Sequence, residues 1–122
     1  MTVPGGDGAA AKPKRASKEL ETEATSEPGH STYRSIKETA EGGLEIEGQS
    51  LWSDGDDDGE YEFARSVAPA DVVLLRAALG IAEDADLLDS LVELFGPLIG
   101  LTRRLEQAIE DNKIASSFWN YF

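Results

Sequence analysis

The sequence predicts a chain of two unlike halves. Residues 1–65 form a mostly disordered, acidic N-terminal half. Residues 66–122 form an all-α C-terminal module of two to three short helices, packed as a helical hairpin or an oligomeric bundle. Three observations predict this: charge is divided unevenly along the chain, large apolar side chains are sparse through residue 50, and leucines at helical spacing follow Val67.

The 122 residues include 24 acids and 11 bases, giving a net charge of −13, with one His and no Cys. Residues 1–18 set Asp7 against Lys12, Lys14, Arg15 and Lys18, whereas residues 19–65 hold 14 acids against Arg34, Lys37 and Arg65. The absence of cysteine removes disulfides, thiolate zinc sites and cysteine nucleophiles. One histidine makes no multi-histidine metal site, and no apolar run is long enough to cross a bilayer. An acidic chain is a poor general ligand for phosphate backbones, which attract Lys and Arg. It suits a basic protein partner.

In the first half, Leu20, Tyr33, Ile36, Leu44 and Ile46 are the main apolar residues before position 50. So few are not expected to offset a backbone entropy cost of roughly 1–2 kcal/mol per residue. Gly5-Gly6, Pro28-Gly29 and Gly42-Gly43 punctuate the segment. Ser31–Glu41 reads as a transient helix, and Leu44-Glu45-Ile46-Glu47 alternates like a short strand. Met1–Ala10 has no apolar core of a secretory signal, so an intracellular location is expected. The Lys12-Pro13-Lys14-Arg15 cluster is a candidate localisation or phosphate-binding patch.

In the second half, Pro69 suits a first helical turn and Asp71 suits its positive end, while Gly80 supplies a stop. A second helix starts near Asp84–Asp86, whose carboxylates suit its N-terminus. Gly96-Pro97 either separates it from a third helix, which runs to about Asn112, or kinks one long helix. Across this region Leu87, Leu91, Leu94, Leu98, Leu101, Leu105, Ala108 and Asn112 alternate at spacings of 4 and 3. That is a 3.5-residue seam, broadened by Leu88, Phe95 and Ile109. Residues 67–112 are near the size at which a single core is marginal, so the Leu87–Leu105 stripe is assigned to self-association or a partner helix. An internal hairpin core is the alternative.

The acidic stretch Asp54-Gly55-Asp56-Asp57-Asp58-Gly59 resembles the opening of an EF-hand loop, D-x-D-x-D-G. Carboxylates at positions 1, 3 and 5 (Asp54, Asp56, Asp58) would converge on a hard cation, with Gly at 6 allowing the turn. Position 12 is Arg65 where a bidentate Glu belongs, and the flanks read as loop. A solvated acidic loop is therefore expected, with no metal or other cofactor. Around it, Trp52, Tyr61 and Phe63 are aromatic residues set in negative charge, a pattern that suits anchors on a protein partner, with packing of Trp52 and Phe63 against the C-terminal helices as the alternative. Ser53, followed by acids, suits an acidophilic kinase.

The C-terminal Phe118-Trp119-Asn120-Tyr121-Phe122 holds four aromatics in five residues. Aromatics of this size dominate interface hot spots, so the segment is assigned as an intermolecular anchor on a partner or sister subunit, with docking into the chain's own helical groove as the alternative. No pair of carboxylates is fixed across a pocket, no acid–nucleophile arrangement surrounds His30, and no catalytic residue is assigned.

The reading as a whole is a non-enzymatic acidic interaction or assembly protein. A disordered arm captures a protein partner with a basic or aromatic-accepting groove, and the helices oligomerise or dock. The layout is similar to that of viral and phage assembly or polymerase-cofactor proteins and of acidic adaptors, an analogy of architecture. Two alternatives stand beside it: an acidic nucleic-acid mimic that occupies a basic groove, and a calcium-responsive switch. Direct nucleic-acid binding and a membrane span are not expected.

Overall fold

A computed structural model of the chain describes residues 18–54 and 57–121. Among the described residues four strands come first: β1 (Lys18–Glu27), β2 (His30–Glu38), β3 (Leu44–Asp54) and β4 (Asp57–Val67). Three helices follow, α1 (Pro69–Leu79), α2 (Leu87–Phe95) and α3 (Leu101–Asp111), and the chain returns as β5 (Ser117–Tyr121). All five strands form one antiparallel sheet in the order β1-β2-β3-β4-β5.

This overturns two expectations. Residues 18–54 and 57–65 are not a disordered arm, and residues 66–121 are neither an all-α module nor a helical bundle. The division expected at residue 65 falls inside β4. Residues 31–41, read as a transient helix, are mostly β2.

The physical reason lies in the pairing. In register, Leu20 faces Ile36, Ile36 faces Ile46 and Ile46 faces Arg65, while Glu38, Leu44 and Val67 align in the neighbouring row. Each strand brings only a few apolar side chains, yet alternation puts Leu20, Ile36, Leu44, Ile46, Phe63 and Val67 on one face. The other face receives the intervening residues, many of them glutamates. Few apolar residues then suffice, because the three helices cover that single face. Ile36, Leu44 and Ile46 are fully buried together with Leu75, Leu87, Leu91, Leu101, Leu105 and Ile109.

The helix signals hold. Pro69 opens α1, and Gly80 closes it at φ 74°, a left-handed conformation that glycine adopts without strain. Asp86 caps α2 by accepting from the Asp89 N–H at 2.9 Å, and its carboxylate also receives Lys18 from the start of β1. Gly96-Pro97 separates α2 from α3. The Arg104 guanidinium holds the intervening turn by donating to the carbonyls of Phe95, Pro97 and Ile99.

Polar ties join sheet to helices. Arg34 donates to the Thr102 hydroxyl at 3.1 Å, and Arg65 pairs with Glu106 at 2.9 Å. Glu23, one residue past a bulge in β1, accepts from the Gly100 N–H at 2.8 Å at the start of α3.

Candidate functional site

The residues assigned from sequence separate into three groups. In the Leu87–Leu105 stripe, Leu87, Leu91, Leu101 and Leu105 are buried against the sheet, whereas Leu94 and Leu98 are exposed. The break at Gly96-Pro97 explains the split, since it ends α2 before the seam can continue in phase. Four of the six leucines thus serve the internal core.

Among the aromatics of β3 and β4, Phe63 is 7% exposed. Its ring stacks between Tyr61 and Phe118, at centroid distances of 6.1 and 6.0 Å, and the Arg34 guanidinium lies 4.9 Å from its centroid. Gly48 makes room for it: a Cβ there would stand 2.2 Å from the Phe63 ring. Trp52 lies in the same way across Gly59, where a Cβ would meet the indole at 2.1 Å. Both side chains are laid along the helix-facing side of the sheet, and Trp52 remains partly exposed at its far end.

In the acidic loop, Asp54 and Asp57 are paired in register at the end of a β-hairpin, so strands stand where an EF-hand has helices. Asp58 is exposed at the start of β4. Asp56 lies outside the described residues, as do the basic cluster Lys12–Arg15 and Phe122. Arg65 points to α3 and donates to Glu106 and to the Ser116 hydroxyl.

The remaining aromatics, Phe118, Trp119 and Tyr121, stand on β5 with 49%, 53% and 56% of their surface exposed. Alternation sends Phe118 to the helix side, over Phe63 and beside Arg65, whose guanidinium lies 5.1 Å from its centroid. Trp119 and Tyr121 go to the opposite face, and this outer face is the candidate site.

Three rows cross it. One runs Glu19–Lys37–Glu45–Ser66–Ser117, the next Glu21–Ser35–Glu47–Ala64–Trp119, and the third joins Tyr33, Gln49, Glu62 and Tyr121. Glu60 lies beyond, opposite Leu51. Among the described residues, six glutamates and Asp58 thus share the face with one ammonium, Lys37.

Hydrogen bonds fix several of these groups. Tyr33 donates to Glu19 at 3.0 Å, and the Gln49 amide donates to Glu60 at 2.9 Å and to Glu62 at 3.3 Å. Burial, then the neighbouring Glu45, pushes the Glu47 carboxyl above the ordinary range. Glu60 raises its neighbour Glu62, while hydrogen bonds from Glu62 and Gln49 hold Glu60 down. Carboxylates raised by crowding and by one another favour an arriving cation. Tyr33, Glu47, Gln49, Glu62, Ala64 and Trp119 surround a shallow depression of about 240 Å³ in the middle of this face. Its walls are carboxylate, amide and aromatic, which are the groups that hold ammonium or guanidinium heads.

Compared with family models, curated proteins and solved structures, the chain matches none.

Sequence reasoning named Trp119 and Tyr121 but missed Tyr33, Glu47, Gln49 and Glu62. The available signal was the repeated alternation of glutamate with apolar residues in 44–47 and 60–67. Among the described residues, no helix is long and apolar enough to cross a membrane.

Proposed function

We propose that the protein is a non-enzymatic interaction module that uses the outer face of its sheet to engage a basic protein partner. One observation carries the reading: a fixed sheet face carries six glutamates on β1, β3 and β4, with exposed Trp119 and Tyr121 at its β5 edge, while the helices cover the opposite side. Long-range attraction would raise the encounter rate with a Lys- or Arg-rich surface. The aromatic rings would then supply apolar and cation–π contact once the charges are partly desolvated.

The test separates this face from net charge. The variant Glu45→Lys, Glu47→Lys and Glu62→Lys changes the outer face. The variant Glu83→Lys, Glu93→Lys and Glu110→Lys makes the same charge change on the helical side. Affinity for a lysine-rich peptide should fall about tenfold or more further in the first than in the second. Equal losses would mean that charge acts without a site.

A second reading, a nucleic-acid mimic, gains support from one feature: the carboxylates stand in rows at fixed cross-strand spacing, rather than on a flexible arm. Duplex DNA would then compete with this protein for a basic nucleic-acid-binding protein, but not for a short basic peptide.

A further inference from the structure

The two edges of the sheet are built differently. β1 carries Glu19, Glu21, Glu23 and Glu27, and its pairing is interrupted by a bulge between Glu21 and Glu23. Charges and bulges are the devices by which an edge strand resists further pairing. β5 has neither. Its sequence Ser-Phe-Trp-Asn-Tyr is free of charge and proline, its register with β4 is unbroken, and among the described residues it has a neighbouring strand on one side only. Every side chain along it is exposed.

The two faces beside this edge also differ. On the outer side, a residue added next to β5 meets Trp119 and Tyr121, with Glu62 one strand further in. On the helix side it meets Phe118, backed by Phe63 and by Arg65, which is already paired with Glu106. A strand laid here would therefore be read as two stripes. Cations suit the outer stripe, since the acidic depression lies just past Trp119. Apolar side chains suit the inner stripe, against Phe118.

We propose that β5 is an acceptor edge for strand addition: an extended segment of the basic partner pairs with it as a sixth strand. Alternate Lys or Arg residues lie along the Trp119–Tyr121 row, and apolar residues lie beside Phe118. Main-chain hydrogen bonds supply affinity and the alternating side chains supply selectivity, as in other strand-addition complexes. This rests on the acidic-face reading and makes it more specific. Charge complementarity selects the partner segment over a second copy, because a copy of β5 brings no cation to the Glu62 side.

The test uses the full chain and two nine-residue probes of alternating Lys and Val. One is unmodified, and the other is N-methylated at alternate amides to remove strand donors while keeping charge. Anisotropy of the labelled peptides gives affinity, and amide hydrogen exchange reports on residues 117–121. The unmodified peptide should bind about tenfold or more tighter than the methylated one and slow exchange at 117–121. Trp119→Lys or Tyr121→Lys, either of which places a gatekeeping charge on the edge, should remove that preference with the thermal midpoint unchanged. Equal affinities would overturn strand addition and leave the acidic-face reading standing. Failure of both probes to bind would overturn both. A β5-dependent dimer in sedimentation that the peptide does not dissociate would make a second copy the occupant and also overturn the proposal.

Discussion

Arg65 of β4 and Glu106 of α3 form a salt bridge at 2.9 Å, each side chain only 20% exposed. The pair ties the sheet to its last helix, and the same guanidinium covers Phe118 and reaches Ser116 ahead of β5. Removing one partner of a shielded pair leaves the other charge poorly solvated. Glu106→Ala should therefore destabilise the fold by about 1–3 kcal/mol in urea unfolding. It should also loosen β5, read as faster amide exchange at 117–121. Loss below about 0.5 kcal/mol would place the pair with ordinary surface bridges.

The same residue bears on calcium. Position 12 of the EF-hand-like stretch is a cation already paired with Glu106, and the stretch joins two strands of a hairpin. Millimolar Ca²⁺ should leave Trp52 fluorescence and the amides of 57–62 unchanged. Saturable binding below about 10⁻⁴ M, in the range of sensor sites, would show that the hairpin forms a cation cage.

The crowded carboxyls set a pH dependence. Burial and Glu45 raise Glu47 above the ordinary value of 4.5, so between that value and the raised one the folded chain binds more protons than the unfolded chain. Stability contributed by this group therefore falls as pH rises through that window, and the penalty persists above it. Glu47→Gln should raise the thermal midpoint at pH 7, with the gain shrinking toward pH 4. An equal gain at both pH values would point to a packing effect instead.

The helices should not stand alone. Leu87, Leu91, Leu101 and Leu105 share one core with Ile36, Leu44 and Ile46. A fragment of residues 66–122 would leave those leucines without their sheet, so it should show weak helicity and no cooperative melt. In the full chain, Leu105→Ala should cost about 2–5 kcal/mol. A cooperative helical fragment would contradict the single-core description.

How much of this was legible depends on where the signal resides. The helices were read from local features: Pro69 and Gly80 bound α1, Asp86 caps α2, and Gly96-Pro97 follows it. The strands were not, because their inward rows include Arg34, Glu38 and Arg65, whose burial depends on Thr102, Glu106 and other distant partners. Locally, β2 offers Tyr33 and Ile36 among polar residues and reads as a sparse segment. Only Leu44–Glu47 alternates clearly enough to register as a strand. Of the site, the exposed aromatics of β5 were visible in composition, whereas the acidic face emerges only when pairing aligns Glu47 with Ala64 and Trp119.

The central claim is that the outer sheet face receives a basic partner. Titration of the isotope-labelled full chain with a lysine-rich peptide, followed by backbone amide shifts, tests it most directly. The account predicts saturable shifts at residues 45–49, 60–64 and 117–121, with the exposed positions Val73 and Leu74 of α1 and Ile99 of the α2–α3 turn unmoved. Shifts concentrated on the helices, or spread evenly over every acidic surface, would contradict it.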